Sequence, residues 1–120
     1  MGAELITLSN NVFMVIVTGT LTESELTKVQ QEAAEAMAKL DRIRFVVVAE
    51  DFRGWQKGDD WSDLTFQFAN DEKIERMALV GDRKWKQLVL AFVGEGFRDF
   101  PIEYFEGGQM AKARAWVLGK

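Results

Sequence analysis

Apolar residues come in short bursts, separated by breaks at Ser9-Asn10-Asn11, Gly54, Gly58, Asn70-Asp71, Gly81-Asp82, Gly94, Gly96 and Gly107-Gly108. These are the residue types that punctuate secondary structure. Residues 4–8 read as a short strand, Asn10-Asn11 as a tight hairpin turn, and residues 12–18 as a second strand antiparallel to the first. Leu26, Val29, Ala33, Met37 and Leu40 then recur at helical spacing, one apolar stripe that stops at Asp41. Thr22 and Glu25 stand three apart ahead of that stripe, the pattern of a capping box, and predict a helix starting at Glu23. Residues 43–49 (Ile-Arg-Phe-Val-Val-Val-Ala) are β-branched and almost continuously apolar, which predicts a central strand buried on both faces.

The second half repeats the alternation. Residues 50–60 form a polar and aromatic loop, after which Asp59 or Asp60 can cap a helix over 61–69. Trp61, Leu64 and Phe68 share one face of that helix and Phe66 lies on the other. Residues 74–81 read as a strand, and Asp82 caps a helix over 83–93 whose inner face is Trp85, Leu88, Val89 and Phe92, with Leu90 pointing away. Residues 101–105 form a last short strand at an edge, because Pro101 cannot complete a central ladder. A closing helix over 110–118 packs Met110 or Ala111, Ala113 and Val117, and Trp85 and Trp116 are expected in the core. The order β-β-α-β-α-β-α-β-α predicts an α/β fold over residues 1–120: a single domain with about five strands, mostly parallel, an antiparallel N-terminal strand and four helices.

Composition narrows the chemistry. The 120 residues contain neither His nor Cys, which removes His-dependent nucleophile systems, thiol redox chemistry and the usual zinc, haem and iron–sulfur ligand sets. No cofactor is expected. A net charge of -4 argues against a nucleic-acid binder, although a local basic patch is compatible with it. The N-terminal residues lack a basic, then apolar, targeting pattern, and no apolar run approaches a membrane span. A cytoplasmic protein is the default expectation.

Phe52-Arg53-Gly54-Trp55 after the central strand, Gly81-Asp82-Arg83-Lys84-Trp85 after the next, and Ala113-Arg114-Ala115-Trp116 near the end, set in that element order, resemble the SpoIIAA-like family of the wider STAS group. The resemblance runs over nearly the whole chain. It implies a small stand-alone bacterial protein, a βα fold akin to lipid-carrying CRAL-TRIO domains, and no catalytic activity. Anti-sigma-factor antagonists of the group carry a phosphorylatable Ser where the strand after the first helix meets the next helix. Here that junction reads Glu50-Asp51-Phe52-Arg53-Gly54-Trp55, with no hydroxyl before Ser62, so a kinase-operated switch at this place is not expected.

Other constellations have plain structural readings. Glu50 and Asp51 are suited to Mg²⁺, but no phosphate-cradling loop accompanies them and strand ends are commonly acidic. Gly94-Glu95-Gly96 follows a helix and reads as its stop. The aromatic and apolar surplus is the informative feature. Phe52 and Trp55 sit in a loop, while Phe66 and Leu90 are predicted to point off the inner faces of their helices. Gathered together, such residues would form a binding surface or pocket mouth. The leading expectation is a non-enzymatic module for an apolar or amphipathic small molecule or a membrane surface, with peripheral membrane contact. Its surface comprises Phe52, Trp55, Phe66 and Leu90, with Arg53, Lys57, Arg83 and Lys86 available for an anionic headgroup. The alternative is a protein–protein regulator related to anti-sigma-factor antagonists, using the same patch for a partner or for a homodimer.

Overall fold

The computed structural model describes residues 2–59, 61 and 69–119. Five strands, β1 (Gly2–Ser9), β2 (Val12–Thr18), β3 (Ile43–Glu50), β4 (Ile74–Gly81) and β5 (Ile102–Glu106), lie side by side in chain order. The β1–β2 hairpin is antiparallel and the other three pairings are parallel, as the element order predicts. The described helices are α1 (Glu23–Met37), α2 (Lys86–Phe92) and α3 (Met110–Val117). The helix expected over 61–69, and Phe66 with it, falls almost wholly outside the described residues.

Alternation along the strands divides the core in two. On one face the register aligns Phe13, Phe45, Met77 and Ile102 in a row, and beside it Leu5, Val15, Val47, Leu79 and Tyr104. The stripe of α1 covers these rows with Val29, Ala33 and Met37 buried, and Val89, Leu90 and Val93 pack there as well. The opposite face presents Val12, Val46, Ala78 and Val80 to Ala113 and Val117 of α3. Alanines facing each other across that interface leave room for close helix–sheet approach.

The capping box at α1 forms as predicted: the Glu25 amide donates to Thr22 Oγ1 at 3.2 Å, and the Thr22 amide donates to Glu25 Oε1 at 2.9 Å. The far end of α3 is held by the sheet. Arg44 and Arg76, register partners on β3 and β4, donate to the carbonyls of Val117 (2.6 Å) and Trp116 (2.5 Å). Guanidinium groups there satisfy C-terminal carbonyls and complement the helix dipole. Arg44 is positioned by Glu75, whose Oε1 accepts from Arg44 Nε at 3.0 Å, and Arg42 approaches the same carboxylate at 3.4 Å. The hydrogen bond from Arg44 holds the Glu75 carboxyl below the usual carboxylate range, burial opposes it in part, and the charges of Arg44 and Arg42 add to the lowering.

Two expectations of packing are corrected. Leu88 is 55% exposed, whereas Leu90 packs against the core under α2. The residues expected to open that helix, Arg83–Trp85, form a tighter 3₁₀ turn capped by Asp82, and α2 starts only at Lys86. Val89 and Phe92 keep the inward position expected of them, and α2 is rotated so that Leu90 joins them and Leu88 falls outside. Trp85 and Trp116 are half-buried instead of being core residues. Trp116 rests against Phe105 at 6.1 Å, with Arg76 stacked 5.4 Å from its ring.

Met37→Ala, at a fully buried position, should lower stability by about 2–5 kcal/mol, while Leu88→Ala should change it by less than about 0.5 kcal/mol; paired urea denaturation curves check this assignment of helix faces. The Glu75 carboxyl has a depressed pKa in the folded chain and an ordinary one, about 4.3, when unfolded. Its contribution is therefore present above about 4.3 and lost as pH falls through the lower folded value. Glu75→Gln should flatten that acid limb of the stability profile and cost on the order of 1 kcal/mol or less at neutral pH, as befits a partly exposed pair.

Candidate functional site

The chain leaves β3 through Asp51, whose φ of 48° lies in the left-handed region that Asp tolerates better than most residues. It then runs beside the segment that enters α1. The Arg53 amide donates to the Gly19 carbonyl (2.9 Å), the Leu21 amide to the Gly54 carbonyl (2.9 Å) and the Gln56 amide to the Leu21 carbonyl (2.8 Å). A loop of this composition predicts few such bonds; here the parallel bridge between Leu21 and Trp55 fastens it. Asp59 adds a further tie, because its carboxylate accepts from the Glu23 amide at 2.8 Å. Asp59 thus serves the N-terminus of α1, 36 residues away in sequence, where an anion complements the helix dipole.

Gly54 makes the next contact possible. Its φ is +98°, and a Cβ there would sit 3.3 Å from the Trp85 ring. The loop can therefore lie flat against the aromatic cluster. Phe52 meets Trp55 edge-on at 5.1 Å and Trp85 at 4.9 Å; Trp55 meets Phe92 at 5.0 Å, and Trp61 meets Phe92 at 5.4 Å. Separations and tilts of this kind are favourable for aromatic pairs beyond the area they bury.

Beneath the cluster is an apolar cavity of about 240 Å³. Val15, Val47 and Leu79 line it from the sheet, Leu26, Val29 and Ala33 from α1, Phe92 from α2, and Phe52, Trp55 and Trp61 from the loop. Space remains because side chains shrink along the row: Val17 pairs with Ala49 where the preceding row has Val15 and Val47, and β4 ends in Gly81. Three polar features belong to the wall, one of them Gln30 of α1. Arg98 is only 8% exposed, and three of its five guanidinium N–H groups are engaged: Nε and Nη2 donate to the two carboxylate oxygens of Asp71, and Nη1 donates to the Val93 carbonyl at 3.1 Å. Trp55 Nε1 is buried and has no hydrogen-bond partner among the described residues.

A second, polar cleft of about 290 Å³ shares Ala49 and Phe52 with the first. Asp51, Arg53, Asp82, Lys84 and Trp85 complete it at the carboxyl ends of β3 and β4. Nearby, the Tyr104 hydroxyl donates to the Asp82 carbonyl at 2.7 Å. Burial, and then the carboxylates of Asp82 and Glu106, raise the Tyr104 pKa and keep the phenol protonated at neutral pH. Among the described residues no three acidic side chains converge as a metal site would require.

The structure brings Phe52 and Trp55 together and adds Trp61, Trp85 and Phe92. Arg53 lines the polar cleft. Lys57 and Lys86 are exposed and line neither space, and Arg83 pairs with Glu106 at 3.0 Å on the surface. Leu90 belongs to the core. Sequence reasoning missed the cavity itself, its strand-borne floor and Arg98. The available signal was the run of small residues at Ala33, Ala49 and Gly81, which only the register places on one side of the sheet.

Comparison with known proteins agrees with this architecture. No curated protein matches the chain. Among solved structures, a protein of Shewanella loihica described as having a SpoIIAA-like fold superposes with a TM-score of 0.73 at 15% identity, covering 97% of this chain and 92% of the other. At that identity the likeness concerns the fold alone. The SpoIIAA-like family model matches residues 12–118, from the first residue of β2 to the end of α3, and the chain belongs to the SpoIIAA-like family.

Proposed function

We propose that this protein is a non-enzymatic binding module that takes up an apolar or amphipathic small molecule in the cavity between α1, α2 and the sheet. The observation that carries this reading is a void of about 240 Å³ walled almost entirely by apolar and aromatic side chains. An apolar cavity of about 150 Å³ is already enough to admit benzene. Burial of ligand surface supplies the affinity, at about 25 cal/mol per Å² of apolar area. The wall is firm on the loop side, where three backbone hydrogen bonds and Asp59 hold residues 53–59 in place. A preformed wall reduces the ordering cost of binding. Among the described residues no helix is long and apolar enough to cross a membrane.

Titration with the neutral fluorophore N-phenyl-1-naphthylamine tests the proposal. Emission should rise in a saturable, blue-shifted manner with the natural chain. Val47→Phe, which places a ring in the floor of the cavity, should weaken the response at least tenfold while the urea midpoint stays within the range of ordinary core repacking. Absence of any saturable signal from the natural chain, together with concentration-dependent dimerisation, would favour the protein–protein regulator.

A further inference from the structure

The two edges of the sheet differ in how they meet solvent. The strand at one edge, β5, is five residues long, follows Pro101 and carries Glu103 and Glu106. Shortness, proline and charge are the devices by which edge strands discourage further pairing. The other edge strand, β1, runs for eight residues with no Pro, Lys or Arg and one charged side chain, Glu4. Its Ile6 is an exposed large apolar residue.

The ladder fixes which backbone groups of β1 face outward. The Arg44 amide donates to the Asn11 carbonyl beside the Val12–Arg44 register pair. In a parallel ladder that turns the N–H and C=O of Asn11 and Phe13 toward β3 and those of Val12 toward β1. The alternation carries on along the strand, so Met14 and Ile16 also face β1, and their register partners Ile6 and Glu4 face β2. Ala3, Leu5 and Thr7 are left with both backbone groups pointing out of the sheet, and no hydrogen bond from the described residues reaches them there.

We propose that β1 is the docking edge for a second copy of this chain: two β1 strands pair antiparallel about a two-fold axis that sets Leu5 opposite Leu5, joining two five-stranded sheets into one. Outward groups must meet outward groups, so the axis passes through a residue and not between two. An axis at Glu4 would set like charges directly opposite each other, which is destabilising. An axis at Ile6 would set Ala3 opposite Ser9, beyond the bulge between Thr7 and Ser9 that interrupts the alternation. With the axis at Leu5, Ala3 meets Thr7 of the second copy and Thr7 meets Ala3, so every outward residue exchanges both its bonds. Glu4 then lies opposite the exposed Ile6 and away from its own copy. The apolar row of Leu5, Val15, Val47 and Leu79 continues through the axis into the same row of the second sheet. A second copy is the occupant because the edge complements itself in donors, acceptors, charge and apolar row, as an isologous contact requires. The cavity reading is independent of this pairing, since no residue of β1 lines the cavity.

Sedimentation equilibrium of the natural chain should show a monomer–dimer equilibrium. Thr7→Pro removes an outward N–H and leaves the β1–β2 ladder its bonds, a placement that edge strands tolerate, and should raise the dissociation constant at least about tenfold. Amide exchange at Ala3, Leu5 and Thr7 should slow as protein concentration rises, while Glu4 and Ile6 stay protected throughout; this measurement on the natural chain decides the matter even if Thr7→Pro does not fold. The chain has no Cys, so single cysteines report the register. Leu5→Cys should cross-link to itself under mild oxidation, because the Cα atoms of a hydrogen-bonded antiparallel pair lie about 5.5 Å apart, within disulfide reach. Thr7→Cys should link at least about tenfold more slowly, since the two Thr7 positions are offset by about 13 Å along the strands. A natural chain that stays monomeric to millimolar concentration would overturn the proposal. So would a dimer that Thr7→Pro leaves intact, with fast exchange at all three outward amides at every concentration, which would assign association to another surface. Equal cross-linking of Leu5→Cys and Thr7→Cys would overturn the pairing about Leu5. Titration with N-phenyl-1-naphthylamine reads the cavity separately, so failure of one reading is distinguishable from failure of the other.

Discussion

The parallel ladder through β2, β3 and β4 is the constraint on which the other features depend. A strand paired on both sides and apolar on both faces must be covered twice, and each helix of the chain is placed by that need. Phe45 and Val47 call for α1 and α2; Val46 and Val48 call for α3. Because the register is shared across all five strands, a change of side-chain size on one strand is felt along an entire row. That is how a cavity comes to exist in a domain of this size: the row ending in Ala49 lacks the volume that Val47 supplies one step earlier.

The segment after β3 forms one wall of the half-open space left by that local shortage of volume. Its glycine lets the chain pass close to Trp85, its backbone joins Gly19–Leu21, and its aromatic residues roof the gap between α1 and α2. Capping and closure are coupled here. The carboxylate of Asp59 that secures the loop also satisfies an N-terminal amide of α1. The first turn of α1 is consequently served from two sides, by Thr22 within the helix signal and by Asp59 from the loop after β3.

Much of this architecture was legible in the order of residues. The boundaries of β2 and β4, the start of α1 and the edge position of β5 follow from periodicity, a capping box and one proline, all of which are local. Leu90 and Leu88 exchange places because α2 turns Val89, Leu90 and Phe92 inward, an orientation set by tertiary packing that helical spacing alone does not specify. Asp59, one of two candidates for capping the helix expected over 61–69, accepts from the Glu23 amide 36 residues back, a partner that no local pattern signals. The role of the arginines within β3 and β4 depends on α3 arriving above them. Aromatic residues in the loop were recognisable as needing cover, yet the cover comes from α2 and from one another, a relation set by tertiary packing.

The sequential strand order bears on how the chain acquires its structure. Every strand pairing among the described residues joins consecutive strands, but only the β1–β2 hairpin closes a short loop; each parallel pairing waits on a long crossover, which slows its formation. The docking of α3 reaches further still, because Arg44 donates to a carbonyl 73 residues further on. Until that helix is made and seated, Val12, Val46, Ala78 and Val80 form an uncovered apolar strip across three strands. During synthesis this strip is the surface by which nascent copies can stick to one another, so the interval before α3 seats is when the chain is most in need of a chaperone.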